Sequence, residues 1–261
     1  MMYEFCAQTD RGLARGNNED SVALDASCGL AILADGMGGY NAGEVASSMA
    51  TALIQTEMGL WLKRAGAQVT GRDIRQALEL SVGKSNRAVF DASHANPAYA
   101  GMGTTLVVAV FREAKLVLGH IGDSRCYRWR GGTLLRSTRD HSLLQEQLDA
   151  GLITPQQAAV ATHRNLVTRA LGVEPTAALE INEYKVEADD LYLLCSDGLS
   201  DMVDDAVIAD ILQTHEPLAQ KAQALVCAAN AGGGRDNISV LLAKAGGGVR
   251  KRGLMSRLLG A

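Results

Sequence analysis

Four aspartates stand at the ends of apolar runs far apart in the chain. Asp35 follows the run AIL, Asp123 follows Ile121-Gly122, Asp197 follows YLLCS and Asp236 immediately precedes NISVLL, with Asp20 in NNEDS as a fifth candidate. A strand end is a rigid mounting point, so acids from distant segments can converge there, although aspartate is also common wherever a strand stops. If they converge, charge decides the chemistry. Two carboxylates about 4 Å apart repel by roughly 4 kcal/mol at an effective dielectric near 20, so five need protons or cations. All-oxygen ligands suit Mg2+ or Mn2+ rather than zinc. Two such ions about 3.5–4 Å apart form a hydrolytic clamp for phosphate esters, with Asp35 the natural bridging carboxylate.

The stretch LADGMGGYNAGEVAS, residues 33–47, places a knot of glycines directly after Asp35. Two common glycine motifs fail on spacing. A dinucleotide fingerprint starting at Gly36 and Gly38 requires a glycine where Asn41 stands. A P-loop ending at Gly83-Lys84-Ser85 requires one where Leu78 stands. What remains is a carboxylate on a tight turn beside exposed carbonyls, and Asp35 with the Gly36 carbonyl would suit a hard cation. The alternative is that Asp35 only ends a strand and the glycines only turn the chain.

The elements that must carry these residues are legible in part. Strands are predicted at about 29–34, 105–111, 116–122, 124–130, 190–195 and 238–243. One helix carries the apolar stripe Val45, Met49, Leu53 and Leu60, and a second carries Ile74, Leu78, Val82 and Val89. Shorter helices are predicted near 143–150, 155–160, 204–213 and 217–230, the last opened by Pro217. Clustered strands with helix pairs between them predict a layered mixed domain rather than a regular βαβ array.

With 261 residues, 47% of them hydrophobic, the chain can bury a full core in one domain. Its longest apolar runs, such as LVVAV at 106–110, fall far short of a membrane span. No basic, apolar leader pattern opens the sequence, so a cytoplasmic location is the expectation. Cys6, Cys28, Cys126, Cys195 and Cys227 are scattered and form no CxxC, which argues against a disulfide framework or a zinc site. A net charge of −4 and only three phenylalanines disfavour nucleic-acid binding. Residues 246–261 carry Arg250, Lys251, Arg252 and Arg257 without an acid. They read as a flexible basic tail, with contact to a partner or a membrane surface as the alternative.

Eight blocks in order then carry a resemblance. They are RGNNEDS (15–21), LADGMGGYNAGEVAS (33–47), GMGTTL (101–106), GDSRCYRWRGG (122–132), TRDHSL (138–143), NLVTRALG (165–172), CSDGLSDMV (195–203) and RDNISVLL (235–242). Together they resemble the PPM, or type 2C, metal-dependent protein serine/threonine phosphatases, particularly the compact bacterial members. The resemblance implies an α+β fold, a central β-sandwich of two mainly antiparallel sheets flanked by helices in four αββα layers. It also implies a phosphatase domain over 1–245, a flap over about 142–167, and a monomer acting on phosphorylated proteins opposite a cognate serine/threonine kinase.

By match to those blocks, Asp35 bridges two Mn2+ or Mg2+ ions and the Gly36 carbonyl ligates one. Asp197 and Asp236 hold the other, and Asp20 and Glu19 act directly or through water. Asp123 takes a third, weaker ion. Arg15 grips the substrate phosphate, for which a planar guanidinium fork is suited. Asn237 orients Asp236, and Ser124 and Arg125 brace Asp123. Gly36, Gly38 and Gly39 let the backbone approach the ions. The implied reaction is direct attack of a metal-bridging water on phosphorus. No arginine lies six residues after any cysteine and no GxSxG occurs, which disfavours a covalent intermediate. Met37 stands where many eukaryotic members carry a histidine credited with protonating the leaving group. A thioether cannot do that, so a metal-bound water is the expected acid. The five histidines, His141 among them, show no metal spacing and read as structural or surface residues. The competing readings are a catalytically silent metal-binding module that recognises phosphoproteins and a metal phosphohydrolase of small molecules.

Overall fold

Consecutive residues of the strand before Asp35 are buried on opposite faces. Leu30 and Ile32 pack with helices, while Ala31 and Leu33 pack between two sheets. That period-two sorting of a wholly apolar run is the mark of a strand covered on both sides, and it organises the fold. The computed structural model describes residues 1–39, 42–66, 69–159 and 166–246.

One sheet contains β1 (Tyr3–Asp10), β7 (Arg125–Arg130), β8 (Thr133–Arg136), β10 (Leu191–Cys195) and β11 (Ile238–Ala245) in the order β1-β11-β10-β7-β8. The other contains β2 (Asp20–Asp25), β3 (Leu30–Met37), β5 (Leu106–Arg112), β6 (Lys115–Ile121) and β9 (Glu180–Lys185) in the order β2-β3-β5-β6-β9, with the two-residue β4 (Gly103–Thr104) beside β3. Every pairing is antiparallel. The inner faces meet through residues such as Leu33, Val107, Phe111, Tyr192, Leu194 and Leu241. Helices α1 (Ala42–Arg64) and α2 (Gly71–Ala95) cover the second sheet, and α6 (Asp205–Gln213) and α7 (Leu218–Ala231) cover the first. Shorter helices are α3 (Leu143–Asp149), α4 (Pro155–Ala159) and α5 (Asp197–Ser200). This is the expected four-layer αββα arrangement.

The expected stripe of α2 is buried in full: Ile74, Leu78, Val82 and Val89 all belong to the core. Thr70 opens that helix with a capping box to Asp73, satisfying backbone donors that the helix itself cannot. The stripe expected on α1 holds at Val45 and Met49, which are partly buried against the core, and fails beyond them. Leu53 and Leu60 are exposed, and the buried face runs through Ala42, Ala46, Ala50, Ile54, Met58 and Leu62, with Ser47, Thr51 and Gly43 beside it. Small residues let this helix lie close to the sheet. A Cβ on Gly36 of β3 would sit 2.6 Å from the Glu19 carbonyl and still closer to that of Gly43. The bulkier residues of α1 therefore turn outward.

Candidate active site

Asp20 and Asp35 are direct cross-strand partners at the ends of β2 and β3. Like charges placed opposite each other weaken a sheet, so this pair has a purpose other than stability. The Asp35 peptide is held rigidly. Its N–H donates to Thr105 Oγ1 (3.0 Å), and its carbonyl accepts from Thr105 N (2.8 Å) and Thr104 Oγ1 (2.9 Å). Thr104 and Thr105, at the start of the neighbouring strand, are thus the clamp on the main chain of the central aspartate. Asp197 begins α5 directly after β10, Asp236 precedes β11, and Asp123 sits on the tight turn between β6 and β7 after Gly122, whose φ is 100°.

Arg15, Glu19, Asp35, Gly36, Met37, Gly38, Thr105, Asp123, Val167, Asp197, Asp236 and Asn237 line one pocket of about 220 Å³. Asp20 lies next to it, with one carboxylate oxygen accepting from Ser196 Oγ (2.8 Å) and the other, Oδ1, buried with no hydrogen-bond partner. Burial, then the charges of Asp20, Asp197, Asp123 and Asp236, push the Asp35 carboxyl well above the usual range. Burial, then Asp123, Asp201, Asp236 and Asp20, do the same to Asp197. Asp20 is raised to about 6 by burial, with Asp236 adding to it. Asp123 is also raised to about 6, by burial and then by Asp140. The acids predicted from separate strand ends therefore feel one another's charge.

Arg15 stands at the lip, its side chain half exposed, with Nη2 on Asp236 Oδ2 at 2.6 Å. Glu19 reaches the pocket from the same loop, and its carbonyl accepts from Gly36 N (3.1 Å) and Ser47 Oγ (2.6 Å). Met37 lines the pocket as well, which puts no proton donor at its position.

Three expectations need correction. Arg125 does not brace Asp123 but pairs with Asp140 (2.7 Å), because its side chain runs with Tyr127 and Asp140. Ser124 braces the site indirectly, through a 2.7 Å bond to Thr105 Oγ1. Gly39 has open space where a Cβ would be, whereas Gly36 is the position that cannot carry one.

Sequence spacing missed a second group. His120, His141 and Glu180 offer ligand atoms within 4.8 Å of one another, the only such trio among the described residues. Both rings already have partners: His120 Nε2 meets the Arg139 carbonyl (2.9 Å), and His141 Nδ1 accepts from Gly122 N (3.2 Å). The rings are stacked at 4.7 Å and 14°, and lone pairs in near-parallel planes do not converge on a tetrahedral ion. The trio fastens the Asp123 turn to the root of the segment after it, since Thr168 N also donates to the His141 carbonyl. Residues 160–165 of the expected flap lie outside the described residues, as do 247–261 of the basic tail.

Comparison with known proteins agrees with this geometry. The family profile of Protein phosphatase 2C matches residues 14–231. The serine/threonine protein phosphatase PstP of Mycobacterium tuberculosis is 42% identical over 246 residues, which are 93% of this chain and 45% of that protein. The serine/threonine phosphatase stp of Listeria welshimeri is 38% identical over 245 residues, 93% of this chain and 95% of that protein. Among solved structures, the catalytic domain of the serine/threonine protein phosphatase PstP in complex with two manganese ions superposes with a TM-score of 0.81 at 39% identity, covering 93% of this chain and 97% of the other. The chain belongs to the protein phosphatase 2C family of α+β metal-site proteins. It spans less than half the length of the mycobacterial relatives and nearly all of the Listeria one.

Proposed function

We propose that the chain hydrolyses phosphoserine and phosphothreonine in proteins, using two divalent cations held by the carboxylate pocket. The single observation that carries this reading is the convergence of Asp20, Asp35, Asp123, Asp197 and Asp236 from five segments with only Arg15 as a cation among the pocket's lining residues. The donor set is all oxygen, and the unpartnered Asp20 Oδ1 is the kind of buried atom that an ion or its water satisfies. Both features fit Mn2+ or Mg2+. In this reading Asp35, the Gly36 carbonyl, Asp197 and Asp236 would hold the two ions, with Asp35 shared between them and Asp20 beside them, and Asp123 would serve a third, weaker ion. Bound dications of this class acidify water and neutralise charge on phosphoryl oxygens.

The chain's own groups supply the rest. Thr104 and Thr105 fix the Asp35 backbone, so the root of its side chain is preorganised. Arg15 offers the remaining donors of its guanidinium to a phosphate at the lip. Met37 and Val167 give the pocket its apolar edges. The substrates are phosphorylated proteins, and a serine/threonine kinase is the counterpart that produces them. The catalytic domain is residues 1–245, with 142–167 as a flap beside the pocket and 246–261 as an appended basic segment on a monomer. Among the described residues no helix is long and apolar enough to cross a membrane.

The test is release of phosphate from a phosphothreonine peptide with manganese, comparing wild type with Asp35→Asn and Asp197→Asn. Activity that disappears with EDTA and in both variants is expected. Full activity in either variant overturns the assignment.

A further inference from the structure

Asn237 was expected to orient its neighbour Asp236, yet its side chain turns elsewhere. Asn237 is 5% exposed, and its side-chain amide bonds to the loop that carries Arg15. Oδ1 accepts from the Glu19 N–H (2.8 Å), and Nδ2 donates to the carbonyls of Arg11 and Asn17 (2.9 Å each). One side chain therefore ties down both ends of the segment from residue 11 to residue 19. The middle of that segment is held by the same turn, since Leu13 N and Ala14 N both donate to the Gly234 carbonyl at 2.7 and 3.1 Å. The guanidinium at its tip then rests on Asp236, one residue from Asn237.

We infer that Asn237 is a positioning residue for phosphate capture: it seats the 11–19 loop so that Arg15 stands over the carboxylate pocket. The inference rests on the phosphatase reading above. The chemistry selects this residue type. The position requires one acceptor and two donors in a plane, which a carboxamide has and which neither serine nor aspartate supplies. An aspartate would also direct an anion at two carbonyl oxygens. An exposed arginine has large rotamer freedom to lose when it binds an anion, and a loop pinned at both ends leaves only the side chain to be ordered. Asn237 has no contact with substrate in this scheme, so it acts through Arg15 and Glu19.

The experiment is a double-mutant cycle at saturating manganese with wild type, Arg15→Ala, Asn237→Ala and the double variant. Its readouts are KM and kcat for a phosphothreonine peptide, inhibition by inorganic phosphate, and hydrogen exchange at the Glu19 amide. Loss of the seat is expected to raise KM and the phosphate inhibition constant about tenfold with kcat within about twofold. It is also expected to speed Glu19 exchange and to add nothing in the Arg15→Ala background. Asn237→Asp, which keeps the acceptor for Glu19 and the side-chain shape, is expected to move KM in the same direction. Additive effects in the cycle, a fall in kcat alone, or faster exchange with unchanged KM would overturn the proposal, as would loss of fold in both Asn237 variants. The two readings fail differently. Absence of manganese-dependent activity in wild type removes the phosphatase reading and leaves the exchange result standing for the seat itself, whereas an unaltered KM in Arg15→Ala with an active wild type overturns the positioning inference alone.

Discussion

Strand β10 carries an aspartate just beyond each end, Asp190 before Leu191 and Asp197 after Ser196, and the two are treated oppositely. Asp190 is fully buried and fully partnered. Arg130 donates to both of its oxygens (2.5 and 2.6 Å), the Glu187 N–H adds a third bond (2.8 Å) and Tyr192 Oη a fourth (3.3 Å). Asp197, some 20 Å along by strand rise, shares its pocket with other acids, and desolvation followed by their charge pushes its carboxyl upward. A carboxylate placed for the fold brings its cation with it. One placed for chemistry is grouped with its own kind and has to be supplied with charge from outside.

Substitutions can break this contrast from either end. The largest effect belongs to Asp35→Asn and Asp197→Asn, expected to cut manganese-dependent phosphatase activity roughly a thousandfold while the EDTA-treated proteins stay as stable as wild type or gain. Urea denaturation showing either variant much less stable without metal would make that carboxylate structural. Next comes Arg130→Met. It strands Asp190 in the core and is expected to cost about 3 kcal/mol by urea denaturation, with activity per folded molecule unchanged.

The pH dependence has an unusual sign. Native Asp20 and Asp123 titrate at about 6, against roughly 3.9 for an unfolded aspartate. Between those values the folded state binds more protons than the unfolded one, so their contribution is favourable at acid pH and fades as pH rises through 6. The melting temperature of EDTA-treated protein is therefore expected to rise from pH 7.5 to pH 5.5, and Asp20→Asn to stabilise that form at neutral pH by of the order of 1 kcal/mol. A melting temperature that falls over that interval would contradict the crowding. The smallest effect is at Asp25, a surface carboxylate paired with Lys63 at 2.8 Å and lowered to about 2 by that bond. Its depressed value means stability that is present above about 4 and lost as pH falls toward 2. Asp25→Asn is expected to cost only a few tenths of a kcal/mol, a calibration for how little an exposed pair contributes.

The strands legible in the sequence were the central ones. All six predicted strands are interior members of their sheets, β3, β5, β6, β7, β10 and β11, whereas β1, β2, β8 and β9, the four edges, went unpredicted. Physics accounts for the split. Most of these central strands are covered on both faces and spell themselves in Leu, Val and Ile, as LVVAV does, β7 (RCYRWR) being the exception. An edge strand such as β2, DSVALD, has no fully buried residue and looks like a loop. The misread face of α1 has a related cause: Ala42, Ala46 and Ala50 carry little apolar signal, yet their smallness brings the helix against the sheet. For the site, Asp35, Asp123, Asp197 and Asp236 stood at strand ends that periodicity could find. Asp20, on an edge strand, needed the motif to be singled out. The threonine clamp, the Arg125–Asp140 pair and the direction of the Asn237 amide are properties of three-dimensional neighbours, and no spacing announces them.

Gly43, in the first turn of α1, bears on how this protein could be silenced. A methyl group there would meet the Glu19 carboxylate and lie 2.9 Å from the Gly36 carbonyl carbon, on the wall of the pocket rather than inside it. Alanine at that position would leave net charge, every acidic side chain and Arg15 unaltered while pressing on two of the groups around the carboxylate pocket. The outcome is a twin of the protein with an identical isoelectric point and a misshapen pocket, a better control in cells than any variant that removes a carboxylate.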